Sequence, residues 1–194
     1  MNKLRVFILI GAVSVSQLIS QNQLPIENGE METIEDGFFS QWATQATNGA
    51  NANFSITANN LIAGSTRALK SEIISLGNNN YDISASSEYN FEVVAGQKYT
   101  VSFYAKIEGA SSRQMKVIFR SEINDSFQGQ DIWITDTWQR YTHTFTVDAS
   151  GNSNKLKFWF LQEGVTYFLD EVSVIPGNYV NLTPINAHQT IDGF

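Results

Sequence analysis

The chain has 194 residues, of which 42% are hydrophobic and 16% charged, with a formal net charge of −7 and no cysteine. That hydrophobic content supports a globular core rather than a disordered chain, and the lack of cysteine excludes a disulfide framework and a lipid-anchored lipoprotein. From Gln21 onward 10 of the 12 basic residues and all 19 acidic ones remain, a net charge of −9, which argues against nucleic acid or an anionic membrane as the partner, because both require a basic face.

The N-terminus opens with Lys3 and Arg5, followed by an uncharged apolar run from Val6 to Val15 and small residues at Ser14, Ser16 and Ser20. The run is too short for a membrane-spanning helix, which needs roughly 20 residues. The layout is that of a secretory signal peptide over residues 1–20, which predicts a secreted chain with no membrane contact after cleavage. Residues 21–176 are long enough for one domain. Without disulfides that domain is held by its core or by a metal.

After residue 21 the hydrophobic pattern alternates with period two. Tyr99, Val101, Phe103 and Ala105 share one face of a predicted strand, and Thr100, Ser102, Tyr104 and Lys106 the other. The alternation recurs over 115–121, 141–147, 155–161 and 167–174. Turn-forming residues separate these runs at Val94–Gln97, Glu108–Ser111, Asp148–Asn152 and Gln162–Gly164. No stretch has a period of 3.6. The expected architecture is all-β, a β-sandwich jelly roll of two antiparallel sheets, and monomeric. Pro176-Gly177-Asn178 closes the last strand. Residues 177–194 then read as a linker and the truncated start of a following domain.

Four segments resemble the carbohydrate-binding modules of the family 4, 9 and 22 type. Asn28-Gly29-Glu30-Met31-Glu32 with Trp42 is similar to that group's opening. Ala95 to Lys106 resembles its central Gly-x-x-Tyr-x-x-Ser-Phe strand. Thr137-Trp138-Gln139-Arg140-Tyr141 resembles its Trp-Gln-x-Tyr segment. Tyr167 to Val174 resembles its closing aromatic-x-x-Asp-Asp-Val strand, with Glu171 in place of the second Asp. His188 to Phe194 is similar to the opening of glycoside hydrolase family 30 catalytic domains; catalytic carboxylates of such a domain would lie beyond Phe194. The resemblance implies non-catalytic binding of a polysaccharide, of β-glucan or xylan type, by a module that targets an attached glycoside hydrolase. The competing class is a structural or adhesive β-sandwich with the same fold and no groove of paired aromatics.

Within the chain, Glu122, Asp125, Asp131 and Glu163 are carboxylates that fall in no catalytic motif, although glycosidases need two such groups across the scissile bond. Neither His143 nor His188 belongs to a metal or nucleophile pattern, and His143 shares parity with Tyr141 and Phe145 at a core edge. Sugar binding needs aromatics that lie under the C–H face of a ring, with amides, carboxylates and Arg at the hydroxyls. Such residues should point away from the core on one sheet. Tyr104 and Trp159 are the candidate stacking residues by parity, and the family resemblance implies Tyr81 as a third; Arg120 and Glu122 are the hydrogen-bonding pair, and Phe127, in an otherwise polar 124–130 loop, a rim contact. The family resemblance further implies a structural Ca2+ tying the first strand to the last. Glu30, Glu32 and Asp170 are the matching positions, with a backbone carbonyl near Lys70; calcium takes oxygen ligands of these kinds.

Overall fold

A computed structural model describes residues 26, 28–87, 91–121 and 126–177, with the side chains of 126 and 127 excepted. The expected signal segment, Glu122, Asp125 and residues 178–194 lie outside the described residues.

All the regular elements among the described residues are strands, twelve in chain order. They are β1 (Ile34–Glu35), β2 (Phe38–Phe39), β3 (Trp42–Ala46), β4 (Asn51–Thr57), β5 (Ala68–Ser75), β6 (Ile83–Ser87), β7 (Lys98–Glu108), β8 (Ser112–Ser121), β9 (Ser126–Thr135), β10 (Gln139–Thr146), β11 (Asn154–Phe160) and β12 (Val165–Pro176). They form two five-stranded sheets, ordered β10-β7-β12-β5-β4 and β3-β6-β11-β8-β9, plus the small β1-β2 hairpin. Every pairing is antiparallel. This is the expected jelly-roll sandwich, and the five strands read from alternation correspond to β7, β8, β10, β11 and β12.

The core lies where the two inner faces meet. Val101, Phe103 and Ala105 of β7 face Leu156, Phe158 and Phe160 of β11, all essentially inaccessible to solvent. Aromatic rings join the sheets: Phe103 meets Phe158 edge-on at 5.0 Å, and Phe160 lies 5.2 Å from Tyr167. His143 packs at the core's edge, its ring 4.6 Å from Phe145, and burial lowers its pKa.

The Asn-Gly opening is explained by geometry. Asn28 sits at φ 51°, a region Asn tolerates better than most residues. Its side chain accepts from the amides of Glu32 and Thr33 and donates to the carbonyls of Thr33 and Ser40. A Cβ on Gly29 would lie 2.0 Å from the Val172 carbonyl oxygen, so only glycine lets the N-terminal turn pair with β12, where the Val172 amide donates to the Gly29 carbonyl at 2.7 Å. The buried Trp42 completes the fastening, its Nε1 donating to the Asn28 carbonyl at 3.0 Å.

Two features depart from the sequence reading. Of the segment read as a 124–130 loop, the described residues are strand: 126–135 form the edge strand β9, paired with β8 over ten positions. Its polar residues read as loop because an edge strand has little apolar surface to bury. The alternation of the last strand is also broken. A bulge between Asp170 and Ser173 shifts the register against β7, with Glu171 at φ 51°, so that Asp170, paired with Tyr104 on the outer face, is followed by the inward Val172 and Val174.

Candidate functional site

The outer face of the β3-β6-β11-β8-β9 sheet follows directly from register, because paired residues share a face. Trp159 of β11 stands beside Ser84 of β6 on one side and Lys116 of β8 on the other, and Lys116 beside Asp131 of β9. The next row is Lys157, Ile118 and Gly129, and the one beyond it Lys155, Arg120 and Phe127. On the opposite side of the Trp159 row, Gln114 pairs with Trp133. Leu156, Phe158 and Phe160 all point inward, so Trp159 faces out as its parity requires.

Tyr81 reaches this face from the turn before β6. It is 49% exposed, and its ring lies 5.8 Å from that of Trp159 at an interplanar angle of 59°. The turn is held from below by Asp82, which is fully buried. The Asp82 carboxylate accepts from Asn48 Nδ2 and from the Asn79 amide, each at 2.7 Å, and its carbonyl accepts from the Thr47 amide at 3.0 Å. Burial raises the Asp82 pKa, but the hydrogen bonds from Asn48, Asn79 and Thr47 outweigh it and hold the carboxyl below its ordinary value. A Cβ at Gly77 would approach Asp82 Oδ2 to 2.4 Å, so glycine is required for the carboxylate to sit there. Gln45 of β3 fixes the Tyr81 carbonyl at 2.9 Å.

Trp133 is the residue the sequence reading missed. It is 63% exposed, a large apolar surface to leave in water. Two strand spacings across and two residues along place its Cα about 12 Å from that of Trp159. Between the two, Lys116 Nζ bridges to Asp131 Oδ1 at 3.2 Å. A Cβ on Gly129 would sit 2.6 Å from Ile118 Cδ1. The absent side chain lets Ile118, 1% exposed, fold down onto β9 and keeps the middle of the face low. The polar-aromatic spacing Asp131-x-Trp133 was the available signal, hidden by reading the start of β9 as loop.

The expected residues therefore divide. Tyr81, Trp159 and Arg120 share this face. Phe127 pairs with Arg120 in the β8-β9 register, on a strand rather than a loop. Tyr104 does not belong with them. It lies on β7, on the outer face of the other sheet, opposite Arg140 and Asp170. There it lines a depression of about 560 Å3 with Leu61, Ile62, Trp138 and Glu171. One alternation argument applies to either sheet, and parity alone cannot tell which sheet a strand joins.

The expected metal positions divide likewise. Asp170 is fully buried, and its Oδ1 accepts from the Glu171 amide at 2.7 Å while Oδ2 has no hydrogen-bond partner. Burial pushes its pKa up to about 7, outweighing the lowering effect of the Ser65 hydroxyl and the Glu171 amide, with the Glu171 and Glu32 charges adding to the rise. Glu32 accepts from the Ser65 hydroxyl at 3.0 Å, from the Thr66 amide and hydroxyl and from the Arg67 amide. Burial raises the Glu32 pKa, and these hydrogen bonds lower it further than burial raises it. Glu30 is exposed and lines a second depression with Tyr104, Arg140 and Glu171. Lys70 lies within β5, opposite Phe168 and Ser55. Among the described residues no three His, Cys, Asp or Glu side chains converge as a metal-binding group.

A family model described as "Carbohydrate binding domain", of the CBM 4/9 type, matches residues 28–163. Comparison with curated proteins gives no match. Solved structures are similar in fold. A CBM4 domain superposes with a TM-score of 0.59 at 21% identity, covering 79% of this chain and 100% of its own. The CBM22-1 xylan-binding domain from Paenibacillus barcinonensis Xyn10C gives 0.53 at 18% identity, covering 75% and 92%. An arabinose-bound GH51 α-L-arabinofuranosidase gives 0.65 at 15% identity, covering 81% of this chain and 27% of the enzyme.

Proposed function

Because the chain belongs to the CBM 4/9 family of carbohydrate binding domains, and so is a non-catalytic carbohydrate-binding module, we propose that it holds a β-linked polysaccharide of the xylan or β-glucan type across the outer face of the β3-β6-β11-β8-β9 sheet. The observation that carries this reading is the exposed Tyr81 against the outward, partly buried Trp159 at 5.8 Å, with the exposed Trp133 further along the same face. Sugar rings have apolar C–H faces that cover aromatic surface, and Lys116, Asp131 and Arg120 stand between and beside the rings to take hydroxyls. Glu122 joins Arg120 on this reading by sequence parity. A structural or adhesive sandwich has no need of three large aromatics in water on one face. The likeness to a xylan-binding domain supports the xylan choice.

Affinity electrophoresis against soluble xylans and β-glucans tests the reading. Retardation should occur on at least one gel and weaken strongly in Trp133→Ala. A folded protein retarded by none of them would overturn it. The chain is further proposed to be secreted and monomeric, and to bring an attached glycoside hydrolase to its substrate.

The residues also fit a structural Ca2+ where the N-terminal turn meets β12. The buried, unpartnered Oδ2 of Asp170 is a carboxylate oxygen lacking a counterpart, in a place where Glu32 adds a second negative charge to its surroundings. Asp170 and Glu32 would hold the ion, with backbone carbonyls completing an oxygen shell. The ion would supply no chemistry beyond tying the ends of the fold together.

A further inference from the structure

The outward positions of the β3-β6-β11-β8-β9 sheet carry Lys116, Arg120, Lys155 and Lys157 against a single described carboxylate, Asp131. The chain as a whole has 12 basic residues to 19 acidic. Among the described residues, the outward strand positions of the proposed sugar-binding face therefore carry the opposite sign of charge from the molecule.

The register sharpens the contrast. Lys116 pairs with Asp131. Lys155 stands directly opposite Arg120, with Lys157 two residues along on the same face. Like charges directly opposite in an antiparallel pair destabilise it, and the fold does not require them, since the packing at β11 is done by Leu156, Phe158 and Phe160. Arg120, Lys155 and Lys157 each also interact within the protein; what sets the face apart is the sign of its charge and the register of its cations.

We propose that the ligand of this face is an anionic polysaccharide, a β-linked glycan bearing uronate carboxylates. This rests on the reading that the face binds a saccharide at all. The aromatic pair holds the C–H face of one sugar. Lys157 and Lys155 lie two and four residues from Trp159, about 7 and 13 Å along the strand. A carboxylate one or two sugars away falls among them, where the planar Arg120 fork can take both its oxygens. Charge complementarity between that carboxylate and the excess of basic positions on this face selects the acidic glycan over its neutral counterpart.

The test compares glucuronoxylan with the same polymer after its carboxyl groups are reduced to alcohols, by isothermal titration with the purified chain in 20 mM and 500 mM NaCl. At low salt the glucuronoxylan should bind about tenfold more tightly, from a few exposed charge pairs. At high salt that preference should shrink towards unity, because exposed pairs are screened. Lys155→Gln/Lys157→Gln should reduce the low-salt preference several-fold. The salt dependence of the wild type stands as a readout that needs no variant. Equal affinity for the two polymers at low salt would overturn the anionic assignment and leave saccharide binding intact. Binding of neither would overturn both. A sulfated xylan that outcompetes glucuronoxylan would overturn the assignment to carboxylates.

Discussion

Phe158 and Trp159 are neighbours in sequence on opposite faces of β11, and replacing each with alanine separates fold from function. Phe158 is fully buried, 5.0 Å from Phe103 and 6.2 Å from Trp42. Its truncation removes the ring that bridges the two sheets and leaves a cavity, at a cost of about 3–5 kcal/mol. For a domain of this size that lowers the melting temperature by roughly 10 °C. Trp159 is partly buried and its described ring partner is Tyr81. Losing an aromatic pair at a wet surface costs about 0.5–1.5 kcal/mol of stability. The same truncation removes a stacking platform, which should weaken glycan binding by about 1–3 kcal/mol, roughly 5- to 150-fold. Urea unfolding followed by far-ultraviolet circular dichroism gives the first quantity, since tryptophan fluorescence would change with the substitution itself. Affinity electrophoresis gives the second. A Trp159→Ala protein that loses several kcal/mol of stability yet binds normally when folded would show that the outward assignment is wrong.

Two further outcomes follow from buried carboxylates. Asp82→Ala should weaken glycan binding although Asp82 touches no sugar, because it releases the turn that presents Tyr81; titration calorimetry should show the loss, and normal binding would remove Asp82 from the site's support. Because the folded Asp82 pKa is depressed, its contribution to stability is present above its unfolded value near 3.8 and should fade as pH falls through the lower folded value. Asp170 has the opposite sign: its pKa is raised to about 7, so with chelator present its ionisation should progressively destabilise the fold as pH rises from about 4 to 7. Calcium should cancel that loss, raising the melting temperature more at pH 8 than at pH 5. Asp170→Ala should abolish the calcium effect, and a wild-type melting temperature indifferent to chelator at pH 8 would remove the metal.

Sequence reading succeeded where burial on one face imposes a strict period of two. β7, β8 and β11 each place large apolar residues on alternate positions, so strand identity and inward parity were both readable. It faltered where that constraint weakens. β3 and β4 carry alanines, threonines and asparagines with few residues fully buried, and β9 is an edge strand whose first half reads as polar loop. Trp133 was lost with β9. Tyr104 was placed with Trp159 because both alternate away from a core, yet their strands lie in different sheets. Sheet order depends on long-range pairing, which local periodicity does not encode. The Tyr81–Trp159 contact was anticipated in its members, but its cause, the buried Asp82 under Gly77, is visible only in three dimensions.

The two outer faces of the sandwich show why one is suited to a long ligand. On the β10-β7-β12-β5-β4 sheet, Lys106 is 2% exposed. Its ammonium pairs with Glu108 at 2.9 Å and lies 4.4 Å from the centre of the Phe168 ring. Trp138 packs edge-on against Phe168 and donates Nε1 to the Asn60 carbonyl at 2.6 Å, and Asn60 Nδ2 reaches Glu108. The segment before β5 is thus fastened across this face. A buried lysine with its charge satisfied by a carboxylate and a ring has nothing left for a sugar. On the opposite sheet the aromatics lie in the open: Tyr81 and Trp133 are about half or more exposed, and Gly129 keeps the floor between them low. A polysaccharide needs an uninterrupted path several sugars long. Of the two faces, the one bearing Trp159 carries exposed aromatic surface at Tyr81 and Trp133, while the described depressions of the other surround Tyr104.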